Sequence, residues 1–142
     1  MKPLRLKMQA FGSYGKETTI DFEKVNQNLF LITGDTGAGK TTIFDAIVFA
    51  LYGEASSSLN KKEGVVLQSQ YVDFDSEPYV ELVFSEGRDE KREIYTVRRV
   101  PRHLKTITRG ANKGKPKENT GSVSLIMPDG LEYPYKEADR KL

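Results

Sequence analysis

The sequence predicts an α/β fold with an antiparallel β-sheet subdomain, on three observations. A short apolar run, Leu29-Phe30-Leu31-Ile32, leads through a glycine-rich loop into Thr42–Tyr52, an apolar stretch long enough for three helical turns. Ahead of it, residues from Leu4 to Phe11 alternate apolar and polar, as a half-buried strand does. Behind it, two further pairs of alternating segments are each joined by a turn, which is the pattern of antiparallel hairpins.

The loop itself reads Gly34-Asp35-Thr36-Gly37-Ala38-Gly39-Lys40-Thr41, an unbroken match to G-x-x-x-x-G-K-[ST]. At ordinary residue frequencies chance gives this pattern in roughly one chain of this length in a few hundred, and the flanking strand and helix lower that further. Glycines let the backbone approach a ligand and turn successive N–H groups inward, at a helix N-terminus whose dipole favours an anion. In such a loop Lys40 reaches the β- and γ-phosphates and the Thr41 hydroxyl ligates Mg²⁺. The α/β fold is therefore expected to be a P-loop NTPase that binds a nucleotide's phosphates and Mg²⁺.

Taken in order, Leu4–Phe11 is the opening strand, Gly12-Ser13-Tyr14-Gly15 a turn, and Thr18–Phe22 a second strand returning beside the first. Asn26–Asn28 connects to the P-loop strand. The following helix has apolar residues nearly all round (Ile43, Phe44, Ala46, Ile47, Val48, Phe49, Ala50, Leu51) and is expected to be largely buried. Asp45 is its polar exception, either paired locally or taking a direct part in chemistry. Gly53 can stop the helix. Ala55–Lys62 is small and polar, a loop that is either plainly flexible or ordered by a ligand or partner. Tyr79–Phe84 and Glu93–Arg99 form one hairpin around Glu86–Asp89. Ser122–Met127 and Leu131–Tyr133 form another around Pro128-Asp129-Gly130. Thr108–Thr120 lacks apolar periodicity and is expected to be a mobile hairpin tip. Lys136–Leu142 reads as the first turns of a charged helix cut short, as in a fragment of a longer chain.

Composition narrows the field without naming a function. The chain has 142 residues, 37% hydrophobic and 30% charged, which suits about one well-solvated domain. Without cysteine it can form neither disulfides nor thiolate metal sites. No apolar run approaches a membrane span or a secretory signal, so a cytoplasmic location and no membrane partner are expected. Net charge is only +2. Yet Arg98, Arg99, Arg102, Lys105, Arg109, Lys113, Lys115 and Lys117 fall in one stretch that holds no acidic residue. That basic segment is either a solvated hairpin or a contact for double-stranded DNA through its phosphates. His103, inside it, has no metal-ligand company and is expected at the surface.

On these residues the chain resembles the N-terminal ATPase lobe of the SbcC family, bacterial members of the SMC-like, ABC-type DNA-repair ATPases. The resemblance covers nearly all 142 residues. It rests on Lys2-Pro3-Leu4-Arg5-Leu6, Phe11-Gly12-Ser13-Tyr14, Ile20-Asp21-Phe22 and Leu31-Ile32-Thr33. Beyond these it rests on Gly34–Thr42, Ile43-Phe44-Asp45-Ala46-Ile47 and Ala50-Leu51-Tyr52-Gly53, and less specifically on the Val80–Leu82 and Tyr95–Arg99 hairpin.

The resemblance implies an ABC-type ATPase head. Residues 1–62 would supply strands, P-loop and helix, residues 63–135 mainly antiparallel β-structure, and residues 136–142 the start of a helix leading to a coiled coil. It implies nucleotide contacts from Gly34, Asp35, Thr36, Gly37, Ala38, Gly39, Lys40, Thr41 and Thr42, and from Gly12 and Ser13 beside the base and phosphates. Some family members carry Arg at the position of Gly12, so a backbone approach alone is implied there, and Thr36 stands where many have Asn. The family's Asp-Glu strand end and signature motif are absent, and Gln68 and Gln70 come too early to serve as its Q-loop. Phosphoryl transfer needs a positioned nucleophile as well as a phosphate cradle, so the chain is expected to bind Mg-ATP and hydrolyse it negligibly alone. The implied partners are an SbcD-like nuclease, a second copy of the head closing over ATP, and DNA ends. Two other functions compete, a stand-alone P-loop kinase or GTPase and a non-enzymatic nucleic-acid-binding module. The first would need a strand-end acid after the P-loop helix, and none is visible.

Overall fold

The computed structural model describes residues 1–12, 14–24, 40–53, 77–101, 103–119 and 121–134, together with 138 and 141. The expected strand at 29–32, the glycine loop at 34–39, the loop at 55–62, Gln68 and Gln70 lie outside the described residues. So does most of the expected helix at 136–142.

Six strands form one wholly antiparallel sheet. They are β1 (Lys2–Gln9), β2 (Thr18–Asp21), β3 (Tyr79–Glu86), β4 (Glu93–Val100), β7 (Ser122–Ile126) and β8 (Glu132–Pro134), in the order β2-β1-β3-β4-β7-β8. Between β4 and β7 the chain leaves the sheet to make a separate two-stranded ribbon from β5 (His103–Thr106) and β6 (Pro116–Asn119). The helix α1 (Lys40–Tyr52) lies against β3 and β4.

Alternation along each strand decides which face the helix covers. Leu4, Leu6 and Met8 of β1, Val80, Leu82 and Phe84 of β3, Val97 of β4, and Val123 and Leu125 of β7 are all buried. Register lines them up: Leu6 stands opposite Leu82, and Leu82 opposite Val97. Onto this face α1 lays Ile43, Ala46, Phe49 and Ala50. Full burial of each large side chain contributes about 1.5–3 kcal/mol, so this layer is the principal source of stability.

The two hairpins and the strand returning beside β1 form as the sequence predicts. The Pro128-Asp129-Gly130 turn is closed by Gly130 N–H donating to the Met127 carbonyl at 2.9 Å and Leu131 N–H donating to Asp129 Oδ1 at 3.0 Å. Three expectations need correction. The second strand stops at Asp21, and Phe22–Lys24 is a 3-10 turn that tucks Phe22 into the core. The helix is not buried all round: Phe44 is 52% exposed and Tyr52 71%. A helix laid on a sheet turns one side to it, and an almost wholly apolar helix does not say which. Lastly, Pro116–Asn119, expected within a hairpin tip, is a strand, because its ladder to His103–Thr106 is made by backbone groups and needs no apolar alternation. The tip proper is the turn between them, where Gly114 N–H donates to the Ile107 carbonyl at 2.9 Å.

Candidate nucleotide site

Lys40 and Thr41 open α1, so the glycine-rich loop sequence runs directly into a helix N-terminus, as anion binding by such a loop requires. Gly34, Asp35, Thr36, Gly37, Ala38, Gly39 and Ser13 lie outside the described residues. Among the described residues, the predicted site residues that meet are Gly12 and Thr42.

Their meeting follows from the turn after β1. Phe11 and Tyr14 exchange backbone hydrogen bonds in both directions at 2.9 Å, and Ala10 N–H donates to the Gly15 carbonyl at 3.0 Å. This tight turn carries Gly12 at φ +55°, a conformation that favours glycine. A Cβ on Gly12 would stand 2.6 Å from Thr42 Cγ2 and 3.0 Å from its Oγ1. The turn backbone thus closes on the first turn of α1, one residue beyond Thr41. Beneath it Phe11 and Phe49 hold their ring centroids 5.5 Å apart. Sheet and helix are in this way joined near the start of α1. Asp45, one turn further along, is 4% exposed and has an interaction partner.

The basic segment divides. Arg98 faces outward, over the Tyr79 ring at 4.0 Å and within 3.7 Å of both Glu77 and Glu81. Arg99 faces inward and is 8% exposed, its Nε donating to the Ala50 carbonyl at 3.2 Å. His103, expected at the surface, is 4% exposed, with Nδ1 2.9 Å from the Pro101 carbonyl oxygen, an arrangement that puts the proton on Nδ1. Arg102 lies outside the described residues. What remains open to a partner is Lys105, Arg109, Lys113, Lys115 and Lys117, all exposed on the β5–β6 ribbon and its tip. Lys105 stands directly opposite Lys117 in the ladder, an unfavourable pairing of like charges that an anion would relieve.

Sequence reasoning missed Arg99 as a structural cation, although the alternation of Tyr95, Val97 and Arg99 was a signal for the inner face. It also missed the outer-face network. There the Tyr79 hydroxyl donates to Glu17, whose other carboxylate oxygen lies 3.9 Å from Lys7 Nζ. Burial, and after it this hydrogen bond, push the Tyr79 phenol well above its ordinary value. Among the described residues, no group of three His, Asp or Glu could hold a metal ion. No described helix is long and apolar enough to cross a membrane.

An antiparallel sheet joined to a helix that begins at a G-x-x-x-x-G-K-[ST] sequence defines an α/β protein of the P-loop NTPase class. The chain belongs to the AAA domain family, whose model matches residues 5–132. It is similar to the SbcC component of the nuclease SbcCD of Lactococcus lactis subsp. lactis, with 33% identity over 133 residues, 93% of this chain and 12% of that protein. The same-named protein of Staphylococcus saprophyticus is 34% identical over 139 residues, 97% of this chain and 12% of its own length. That of Staphylococcus epidermidis is 58% identical over 74 residues, 51% of this chain and 7% of its own. The chain therefore spans about an eighth or less of these curated relatives, and the resemblance read from its motifs is to the same proteins.

Proposed function

We propose that this chain is the ATP-binding, N-terminal lobe of an ABC-type head in an SbcC-like ATPase that processes DNA ends together with an SbcD-like nuclease. The observation that carries the reading is the closure of the Gly12 turn on Thr42, at the helix N-terminus that the P-loop sequence enters. A glycine at position 12 lets the turn backbone come close to the start of α1, where any larger residue would meet Thr42.

In this reading Gly34–Thr42 hold the triphosphate, with Lys40 neutralising the β- and γ-phosphates and Thr41 a ligand of Mg²⁺. Gly12 and Ser13 border the nucleotide from the β1–β2 turn. The bound metal supplies charge neutralisation on the phosphates. Residues 1–62, 63–135 and 136–142 act as the P-loop part, the antiparallel part and the beginning of a helix toward a coiled coil. A second head closes over ATP and supplies the groups that orient water, so hydrolysis by this chain alone is negligible. Double-stranded DNA is contacted through phosphates by Lys105, Arg109, Lys113, Lys115 and Lys117, without readout of sequence.

Titration of the 142-residue chain with Mg-ATP tests the site. Saturable binding that Lys40→Ala removes, with turnover near background, is the expected result. Vigorous turnover by the chain alone, abolished by Lys40→Ala, would overturn the shared-head reading. Absence of Mg-ATP binding would overturn the site.

A further inference from the structure

The P-loop helix is held at both ends, and the second hold lies away from the nucleotide site. At the C-terminus of α1 the last carbonyls have no partner within the helix. The Phe49 carbonyl takes the N–H of Gly53 at 2.8 Å, and the Ala50 carbonyl takes Arg99 Nε at 3.2 Å. The guanidinium comes from β4, on the far side of the core layer, and its carbon lies 6.0 Å from the Phe49 ring centroid. Gly53 follows at φ +77°, and a Cβ there would stand 3.2 Å from Arg99 Nη1. Helix end, glycine and arginine are fitted to one another.

Burying a guanidinium is costly, and an apolar residue at this inner-face position would avoid the cost. What an apolar residue cannot do is fix a position along the helix axis. Apolar contact is non-directional, so it specifies a position along the helix axis less sharply than a directed bond does. A planar cation bonded to one carbonyl, and favoured there by the helix dipole, sets the axial position. Ala50 is eight residues from Thr42, about 12 Å along a helix rising 1.5 Å per residue. A rigid helix transmits any shift at that carbonyl to Lys40 and Thr41 undiminished.

We propose that Arg99 is a positioning residue for the P-loop: bound to the Ala50 carbonyl, it sets the axial position of α1 and so where Lys40 and Thr41 meet the nucleotide phosphates. The proposal rests on the nucleotide site proposed above. It also removes Arg99 from any surface that meets DNA.

The test compares Arg99→Met with Val97→Ala, both at inner-face positions of β4, by Mg-ATP titration and thermal unfolding of the 142-residue chain. Val97→Ala opens a cavity in the same layer without touching the helix end. It is expected to lower Tm and leave the Kd for Mg-ATP unchanged. Arg99→Met keeps an apolar chain of similar length and is expected to raise Kd about tenfold. Arg99→Lys, which restores a cation able to donate to the carbonyl, is expected to recover part of the loss. If Arg99→Met binds as the parent does, or if Kd rises equally in both variants, the positioning role is overturned. If the parent chain does not bind Mg-ATP, or binds it equally after Lys40→Ala, the nucleotide site itself fails. Should Arg99→Met not fold, Arg99→Gln decides, since its shorter, uncharged side chain gives up the cationic bond to the Ala50 carbonyl: a Kd equal to the parent's at reduced Tm overturns the proposal, and a raised Kd in a folded protein supports it.

Discussion

The six-stranded sheet turns two unlike faces to its surroundings, although β1, β3 and β4 supply both. Inward, Leu6, Met8, Val80, Leu82, Phe84 and Val97 meet α1 and exclude water. Outward, Lys7, Tyr79, Glu81 and Arg98 form a charged and hydrogen-bonded mesh with Glu17 and Glu77. The adjacent residues Arg98 and Arg99 show the difference most simply. Each carries a guanidinium beside a ring, but Arg98 keeps its contact with water and Arg99 does not. Solvent screens the outer pairs, whose worth is small however many there are. On the inner face each group is either apolar or committed to a definite partner, so each matters. Stability and the geometry of the P-loop helix thus rest more on the inner face than on the outer.

The largest effect that would break this contrast is Leu82→Ala. Leu82 is fully buried between Leu6 and Val97, and its truncation is expected to cost about 2–5 kcal/mol in denaturant-induced unfolding. A cost comparable with that of an outer-face variant would deny the inner face its role. Next comes Gly12→Ala, which adds a Cβ 2.6 Å from Thr42 at a positive φ. It is expected to cost about 1–3 kcal/mol and to weaken Mg-ATP binding, read from unfolding curves and titration together. Unchanged nucleotide affinity would separate the turn from the site.

On the outer face, Arg98→Ala removes two ion pairs and a cation–π contact. Because the side chain is nearly half exposed, the expected loss is under about 1 kcal/mol and shrinks with added salt. The smallest effect lies in alkaline solution. The phenol of an unfolded Tyr79 loses its proton near about pH 10, whereas the folded phenol, shielded and bonded to Glu17, holds its proton to higher pH. The folded state therefore binds more protons above about pH 10. The associated stability is complete below that pH and declines as pH rises toward the folded-state value. Tyr79→Phe is expected to flatten the fall in unfolding free energy above about pH 10 relative to the parent, and identical slopes would remove Tyr79 from the network.

Much of this was legible in the sequence where period and punctuation agree. Alternation in β1, β3, β4 and β7, the Pro128-Asp129-Gly130 turn and Gly53 as helix stop each follow from local rules. The family resemblance set Gly12 and Thr42 each beside the nucleotide, but their direct contact was not legible, since nothing local ties residues so far apart to one another. Where reading failed, two rules conflicted. Arg99 and His103 are polar residues in a basic stretch, and charge argues for the surface, yet their backbone partners, the Ala50 and Pro101 carbonyls, make burial tolerable. Phe44 is the reverse case, an apolar side chain on a helix whose covered side is fixed by the sheet and not by its own pattern. β6 left no trace because Pro-Lys-Glu-Asn carries no apolar alternation, and a backbone ladder needs none.

The pairing of β1 with β3 also sets an order of events in folding. These strands are neighbours in the sheet, yet the whole P-loop segment and α1 lie between them in the chain. Closing so long a loop carries an entropic cost that no contact offsets until the strands meet, which makes such topologies slow to form. During synthesis the glycine loop and its helix emerge with β1 and β2 but without the β3 and β4 surface that α1 covers. The clamp from Arg99 arrives with β4 itself. A ribosome must therefore translate beyond Val100 before the helix has a place to rest, and until then an apolar helix is exposed in the cell. Nucleotide binding should appear late and all at once in a series of nascent chains of increasing length.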